Sequence, residues 1–173
     1  MRQKTCPYCR QKYQPERPLQ VACSIPCVIQ HVNTLKAKRE RKDLKEAKAK
    51  LKTRADWMRE AQAAFNAWIR KRDENLPCIS CGRNHQGQFH AGHFRTTKAA
   101  PELRFSELNV HKQCSVCNNY LSGNIIEYRR NLLVKIGADN VDWLEGPHEP
   151  KKYTVEDLKA IRDEYRRKFK EME

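Results

Sequence analysis

Eight cysteines in two sets constrain this chain more than any other feature. Cys78-x2-Cys81 and Cys114-x2-Cys117 form one set. Cys6-x2-Cys9 and Cys23-x3-Cys27 form the other. Paired knuckles of this spacing suit a tetrahedral thiolate site for zinc. The stretch MRQKTCPYC has no apolar core, so it does not read as a secretory leader. No segment approaches the roughly 18 apolar residues of a membrane span. A reducing cytoplasm is therefore the expected compartment, where such cysteines hold metal rather than form disulfides. Two structural zinc ions are expected. With 39% hydrophobic residues and a mean hydropathy of -0.92, a large apolar core is not expected, and metal must share the work of folding. His31, four residues past Cys27, is an alternative N-terminal ligand, but four cysteines are the preferred set.

Charge narrows the choice of partner. The formal net charge is +14. Two four-thiolate zinc sites, each of net charge minus two, would leave about +10. Such a protein seeks a polyanion, and without a lipid-anchor motif nucleic acid is favoured over a membrane surface.

Four segments follow along the chain. Residues 1–31 read as a small zinc knuckle, with Pro7, Pro15 and Pro18 making the span between its cysteine pairs turn-rich. Residues 32–56 read as a basic helical arm. From Lys36 to Arg54 there are ten Lys or Arg against three acids, with no Gly or Pro. Leu35, Leu44 and Leu51 are too sparse for a core face, so the arm should be solvated. Lys38, Arg39, Arg41, Lys42 and Lys45 are its candidate phosphate-binding residues. Residues 57–137 read as the main unit. It opens with a helix over 57–75 whose apolar stripe is Trp57, Ala61, Ala64, Phe65, Trp68 and Ile69. Strands are expected over 88–94 and 107–112, then a helix near Asn118, then another that Gly137 ends. Residues 138–153 read as loop. A last helix starts at Thr154, with Asp157 completing a capping box. Its stripe (Leu158, Ile161, Tyr165, Phe169, Met172) should pack on the core or on a second copy. The fold class is α+β and mostly helical.

The chemistry lies between the central knuckles. Hydrolysing a phosphodiester needs an attacking water, a base and a cation on the phosphate oxygens. A histidine suits the base. An asparagine supplies a neutral oxygen, or fixes a histidine by hydrogen bonding. His90, His93, Asn109 and Asn118 supply these residue types.

His90-Ala-Gly-His93-Phe, with Leu108-Asn109 and Cys117-Asn118-Asn119, resembles the ββα-metal motif of zinc-stapled HNH endonucleases. The resemblance implies that His93 activates water, that Asn109 orients it through the backbone, and that Asn118 binds the catalytic cation. Many members carry an Asp just before the base as a metal ligand, and here that place is Gly92. His90 is the expected replacement, with Glu127 the weaker candidate. An imidazole ligand would favour Mn2+ over Mg2+. Arg95 and Lys98, just past the base, are expected to bind the DNA backbone.

The chain also resembles, over nearly its full length, the phage NinG proteins, also called Rap. The motifs are CPYC near the start, the CS-x2-C pair, FNAWIRKRDENLPCISCG, AGHF and QCSVCNNYLSGN. That resemblance implies phage recombination and structure-specific cleavage of branched DNA, including D-loops and Holliday junctions. A symmetric cut of a four-way junction needs two active sites, so a homodimer is expected. The rival from another class is a non-catalytic zinc-finger DNA-binding protein, and an RNA-binding protein is the second rival.

Overall fold

The computed structural model describes residues 2–172. The chain divides into two compact units, residues 1–52 and 53–173.

The first unit is built on a hairpin and one helix. Strands β1 (Lys4–Thr5) and β2 (Lys12–Tyr13) pair antiparallel, Lys4 opposite Tyr13. Cys6 and Cys9 lie in the turn between them. That turn closes through Cys6 N donating to Gln11 O, 2.8 Å, and Arg10 N to Cys6 O, 3.0 Å. Arg10 takes a positive φ of 63° there. Helix α1 spans Ile25–Lys50, and Ser24 caps it by accepting from Cys27 N. It therefore begins inside the knuckle rather than after it, and Cys27 rides on its first turn. None of its residues is buried, as a solvated basic arm requires.

The second unit places a short hairpin between helices. Helix α2 (Arg54–Arg72) starts at a capping box of Thr53 and Asp56, and it buries Trp57, Ala61, Phe65, Trp68 and Ile69. Strands β3 (Phe89–His93) and β4 (Val110–Cys114) pair antiparallel with His93 opposite Val110. A short 3-10 turn, Pro101–Leu103, lies between them, and a π-helical turn, Val116–Tyr120, follows β4. Helix α3 (Ile125–Ile136) then runs to Gly137, whose φ of 84° few other residues adopt. Helix α4 (Ala138–Glu145) follows at once, where a loop was expected. Val141 and Leu144 drive it, both wholly buried against Tyr128 and Leu132 of α3.

Helix α5 (Val155–Lys170) opens at the capping box of Thr154 and Asp157. Its stripe packs on α2: the Tyr165 ring stands edge-on to Phe65 at 4.7 Å, and Leu158 joins Trp57 and Ala61. That face is consumed inside the unit. Of the two uses expected for the stripe, packing on the core is the one observed for Leu158, Ile161, Tyr165 and Phe169, while Met172 stays 42% exposed. Among the described residues no helix is long and apolar enough to cross a membrane.

Candidate functional site

Two groups of four cysteines converge, Cys6, Cys9, Cys23 and Cys27 in the first unit and Cys78, Cys81, Cys114 and Cys117 in the second. Within each group the ligand atoms lie within 4.8 Å of one another. Neighbouring sulfurs stand 3.5 Å apart for Cys9–Cys23 and Cys23–Cys27, and 4.0 Å for Cys81–Cys114. A tetrahedral zinc with bonds of about 2.3 Å needs sulfurs about 3.8 Å apart. A disulfide would need about 2.0 Å. Both clusters therefore fit a zinc ion. His31 is in neither group.

The charge balance of the thiols points the same way. Thiol–thiol contacts with Cys9 and Cys27 push Cys23 up to about 12. Burial resists ionisation of Cys6, but N–H groups around it win and bring it down to about 6. Burial first, then its sulfur neighbours, pushes Cys117 up to about 12. Four thiols so close cannot all ionise unless a cation joins them. Backbone amides prepare the second site, with Cys114 N donating to Cys78 Sγ at 3.3 Å and Cys117 N to Cys114 Sγ at 3.5 Å. His85 Nε2 stands 3.1 Å from Cys81 Sγ and braces it.

The second cluster ties three pieces together. Cys78 and Cys81 sit in the turn after α2, Cys114 ends β4, and Cys117 lies on the π-helical turn. That turn carries Asn118 to a cleft of about 250 Å3 lined by His93, Thr96, Thr97, Asn118, Ser122 and Gly123. His93 and Asn118, far apart in sequence, thus share one cavity.

His93 is held in one orientation. Its Nε2 lies 3.0 Å from Arg104 O. A carbonyl only accepts, so Nε2 carries the proton and Nδ1 is the nitrogen with a lone pair to offer. Burial lowers the His93 pKa; the Arg104 carbonyl works against this, and the charge of Arg104 adds to it. The net position is below the ordinary histidine value, so the ring is neutral near pH 7.

Asn109 is wholly buried. Its Oδ1 accepts from Arg95 N at 2.7 Å, and its Nδ2 donates to Arg95 O at 3.0 Å and Leu103 O at 3.2 Å. These bonds close the loop from β3 to residue 103, next to the carbonyl that holds His93. Asn109 acts on the imidazole through backbone, without touching it. Asn118 Nδ2 donates to Asn119 Oδ1 at 2.7 Å, which leaves its own oxygen outside that bond.

Other expected residues stand elsewhere. His90 lies opposite Gln113 in the hairpin and does not line the cleft. Its Nε2 is buried without a hydrogen-bond partner among the described residues. The expected replacement ligand thus stands three residues up the strand from His93 and outside the lining of the cleft. Glu127 pairs with Arg130 at 3.3 Å on α3. Arg95 Nη1 donates to Leu144 O and Glu145 O, both at 3.1 Å, so it caps the end of α4 rather than standing free for phosphate. Lys98 is exposed, as are Lys38, Arg39, Arg41, Lys42 and Lys45 along α1.

Two features escaped sequence reasoning. A Cβ on Gly92 would meet the Gln113 side chain, with Gln113 Cβ and Cδ each at 2.9 Å. Gln113 is itself fixed, its Nε2 donating to Ser80 Oγ and Gly123 O. Gly92 is therefore a packing necessity, and no side chain at that position can reach the cleft. Asp73 is the other. It is 2% exposed and accepts from Arg72, Lys135 and Lys112 N, at 2.8, 3.1 and 3.0 Å. It locks the end of α2 to β4 and α3. Burial would raise its pKa, but the bonds from His111 and Arg72 hold it well below the usual carboxylate range. Nothing in linear spacing announces either.

Comparison with known proteins gives one family. The family described as Bacteriophage Lambda NinG protein matches over residues 1–173. The chain is similar to Protein ninG of Escherichia phage lambda, 51% identical over 129 residues, which is 75% of this chain and 63% of that protein. Protein ninG of Salmonella phage P22 is 51% identical over 75% of this chain and 64% of its own length. Protein ninG of Escherichia phage 933W is 50% identical over the same shares. The match thus spans a little under two thirds of these relatives. No solved structure matches the chain.

Proposed function

The chain belongs to the bacteriophage lambda NinG family, and on that premise we propose that it is a structure-specific DNA endonuclease of phage recombination. It would cut branched DNA, such as D-loops and Holliday junctions, by metal-dependent hydrolysis. The observation that carries this reading is a neutral, half-buried imidazole with a free Nδ1, sharing a cleft with the amide of Asn118. The ββα course of β3, β4 and the turn that bears Asn118 supports an HNH-type core, stapled by zinc on Cys78, Cys81, Cys114 and Cys117.

In this mechanism His93 Nδ1 takes a proton from the attacking water. The Arg104 carbonyl, already accepting from Nε2–H, stabilises the imidazolium as it forms. Asn109 keeps that carbonyl in place. A divalent cation in the cleft would supply charge stabilisation to the phosphorane oxygens. The donors facing it are neutral: Asn118 and the hydroxyls of Thr96, Thr97 and Ser122. Among the described residues no carboxylate lines the cleft, so its donors fit a cation that keeps several waters and completes its shell with DNA phosphate oxygens. Mg2+ or Mn2+ should therefore bind weakly without DNA. The exposed cations of α1, with Lys98, would track the backbone, and the second active site that a symmetric junction cut needs would come from a second copy.

The missing carboxylate also favours the second reading, a non-catalytic zinc-finger DNA-binding protein. A cleavage assay separates the two, using a four-way junction, a flap and plain duplex with Mg2+ and Mn2+ in turn. The proposal expects cutting at the branched substrates. It also expects the acid limb of the rate profile to have its midpoint below about 6.5, because burial keeps His93 deprotonated. No cutting of any DNA with either ion would leave the binding reading in its place.

A further inference from the structure

A cavity near α4 and α5 stands apart from the His93 cleft. It holds about 400 Å3 between the 3-10 turn, the end of α4 and α5, and it takes in Trp143, His148, Tyr153, Glu102, Glu149 and Glu164. Its chemistry differs from the rest of this cationic protein, since three carboxylates, of which Glu164 pairs with Lys168 at 2.9 Å, stand with Lys151 around an aromatic wall. We infer that this cavity binds an unstacked nucleobase bearing an exocyclic amine, taken from the branch point of the DNA. The inference rests on the proposed DNA substrate.

Three observations carry it. First, His148 Nε2 is buried with no hydrogen-bond partner among the described residues. A buried ring nitrogen without a partner costs stability, and the cost is recovered when the His148 ring turns to bring that nitrogen to an entering base. Second, the His148 ring meets Trp143 edge-to-face at 4.7 Å, yet Trp143 remains 50% exposed. A half-open indole braced from behind is a stacking platform. Third, the carboxylates accept hydrogen bonds and repel phosphate. They admit the amine edge of adenine, cytosine or guanine, and they disfavour the carbonyl edge of thymine. Lys151 also lines the cavity, its ammonium 4.9 Å over the Tyr153 ring, and offers the backbone of the DNA a cation beside the base. Branch points supply such bases at little cost, because pairing and stacking are already broken there.

Tryptophan fluorescence reads the site directly. Trp57 and Trp68 are 6% and 7% exposed, so Trp143 is the indole a base can reach. Adenosine should quench the emission and thymidine should not, with no junction present. On four-way junctions, Trp143→Leu should weaken binding on the order of tenfold when adenine stands at the branch. It should have no effect when that position is abasic. His148→Phe, which keeps the ring against Trp143 and removes Nε2, should reproduce part of the loss with the fold intact. If adenosine quenches and junctions do not bind, the cavity reading stands and the DNA substrate falls. If adenosine and thymidine behave alike, or if both variants weaken adenine and abasic junctions equally, the cavity reading is overturned.

Discussion

Among the described residues of the first unit, the buried positions are Cys6, Pro15 and Ala22. In residues 53–173 three apolar clusters surround the hairpin, and the cysteine cluster is a fourth. Both units carry a four-cysteine site, but among the described residues only the second sets it beside apolar clusters. The two-stranded β1–β2 hairpin is too small to stand alone in water, and α1 buries nothing. The first unit thus has the make-up of a fold that a bound zinc would hold together, whereas in the second a zinc would fix one corner of a core that packing already builds. The difference teaches that the same motif folds one unit and aims a side chain in the other: its second copy carries Asn118 to His93.

Metal removal should break this symmetry most visibly. The protein should hold about two zinc ions per chain. A strong chelator should abolish amide protection in residues 4–27, since structural zinc supplies about 10–16 kcal/mol in comparable small folds. Protection in α2 and α5 should survive. Equal loss in both units would erase the contrast. Cys78→Ser should release the turn carrying Asn118 while leaving α2–α5 packing measurable by near-UV dichroism.

Next in size, the packed unit should answer to its core. Leu132 is wholly buried among Tyr128, Val141 and Leu144. Leu132→Ala should cost about 2–5 kcal/mol in denaturant unfolding with zinc bound. Asp73→Asn should cost about 3–5 kcal/mol, because Arg72 and Lys135 lose a buried partner. The pH dependence has a definite sign. The folded pKa of Asp73 is depressed, so its contribution is full above the unfolded value of about 3.9 and is lost as pH falls below it. The wild type should therefore lose stability below about pH 4 faster than the Asn variant.

The smallest effect on stability should come from α1. Replacing Lys38, Arg39, Arg41, Lys42 and Lys45 with Gln removes exposed charges. Unfolding should hardly change, while the salt dependence of DNA binding should flatten by about 0.9 in slope for each phosphate that α1 no longer neutralises. Unchanged salt dependence would make α1 a connector only.

Much of the scaffold was legible in the sequence, for identifiable reasons. Helices α2 and α5 announce themselves through 3.6-residue apolar spacing, α5 also through its Thr-x-x-Asp cap, and the cysteines through knuckle spacing; the Thr53–Asp56 cap that starts α2 lay inside the expected basic arm. Helix α4 was hidden because Gly146, Pro147 and Pro150 dominate its neighbourhood while Val141 and Leu144 offer a single turn of pattern. The fates of Arg95, Gly92 and Asp73 depend on partners 49, 21 and 62 positions away. No local pattern encodes a carbonyl to be capped, a glutamine filling the place of a side chain, or a carboxylate shared by three elements. His90 looked like a ligand because it is near His93 in sequence, and strand geometry carried it out of the cleft.

The most direct test compares cutting with binding for His93→Ala, in protein whose zinc content matches wild type. Cleavage of a branched junction with Mg2+ or Mn2+ should fall by about 10²–10⁴-fold, while gel-shift affinity stays within about twofold. A variant that cuts as fast as wild type would contradict the role of His93 as the base.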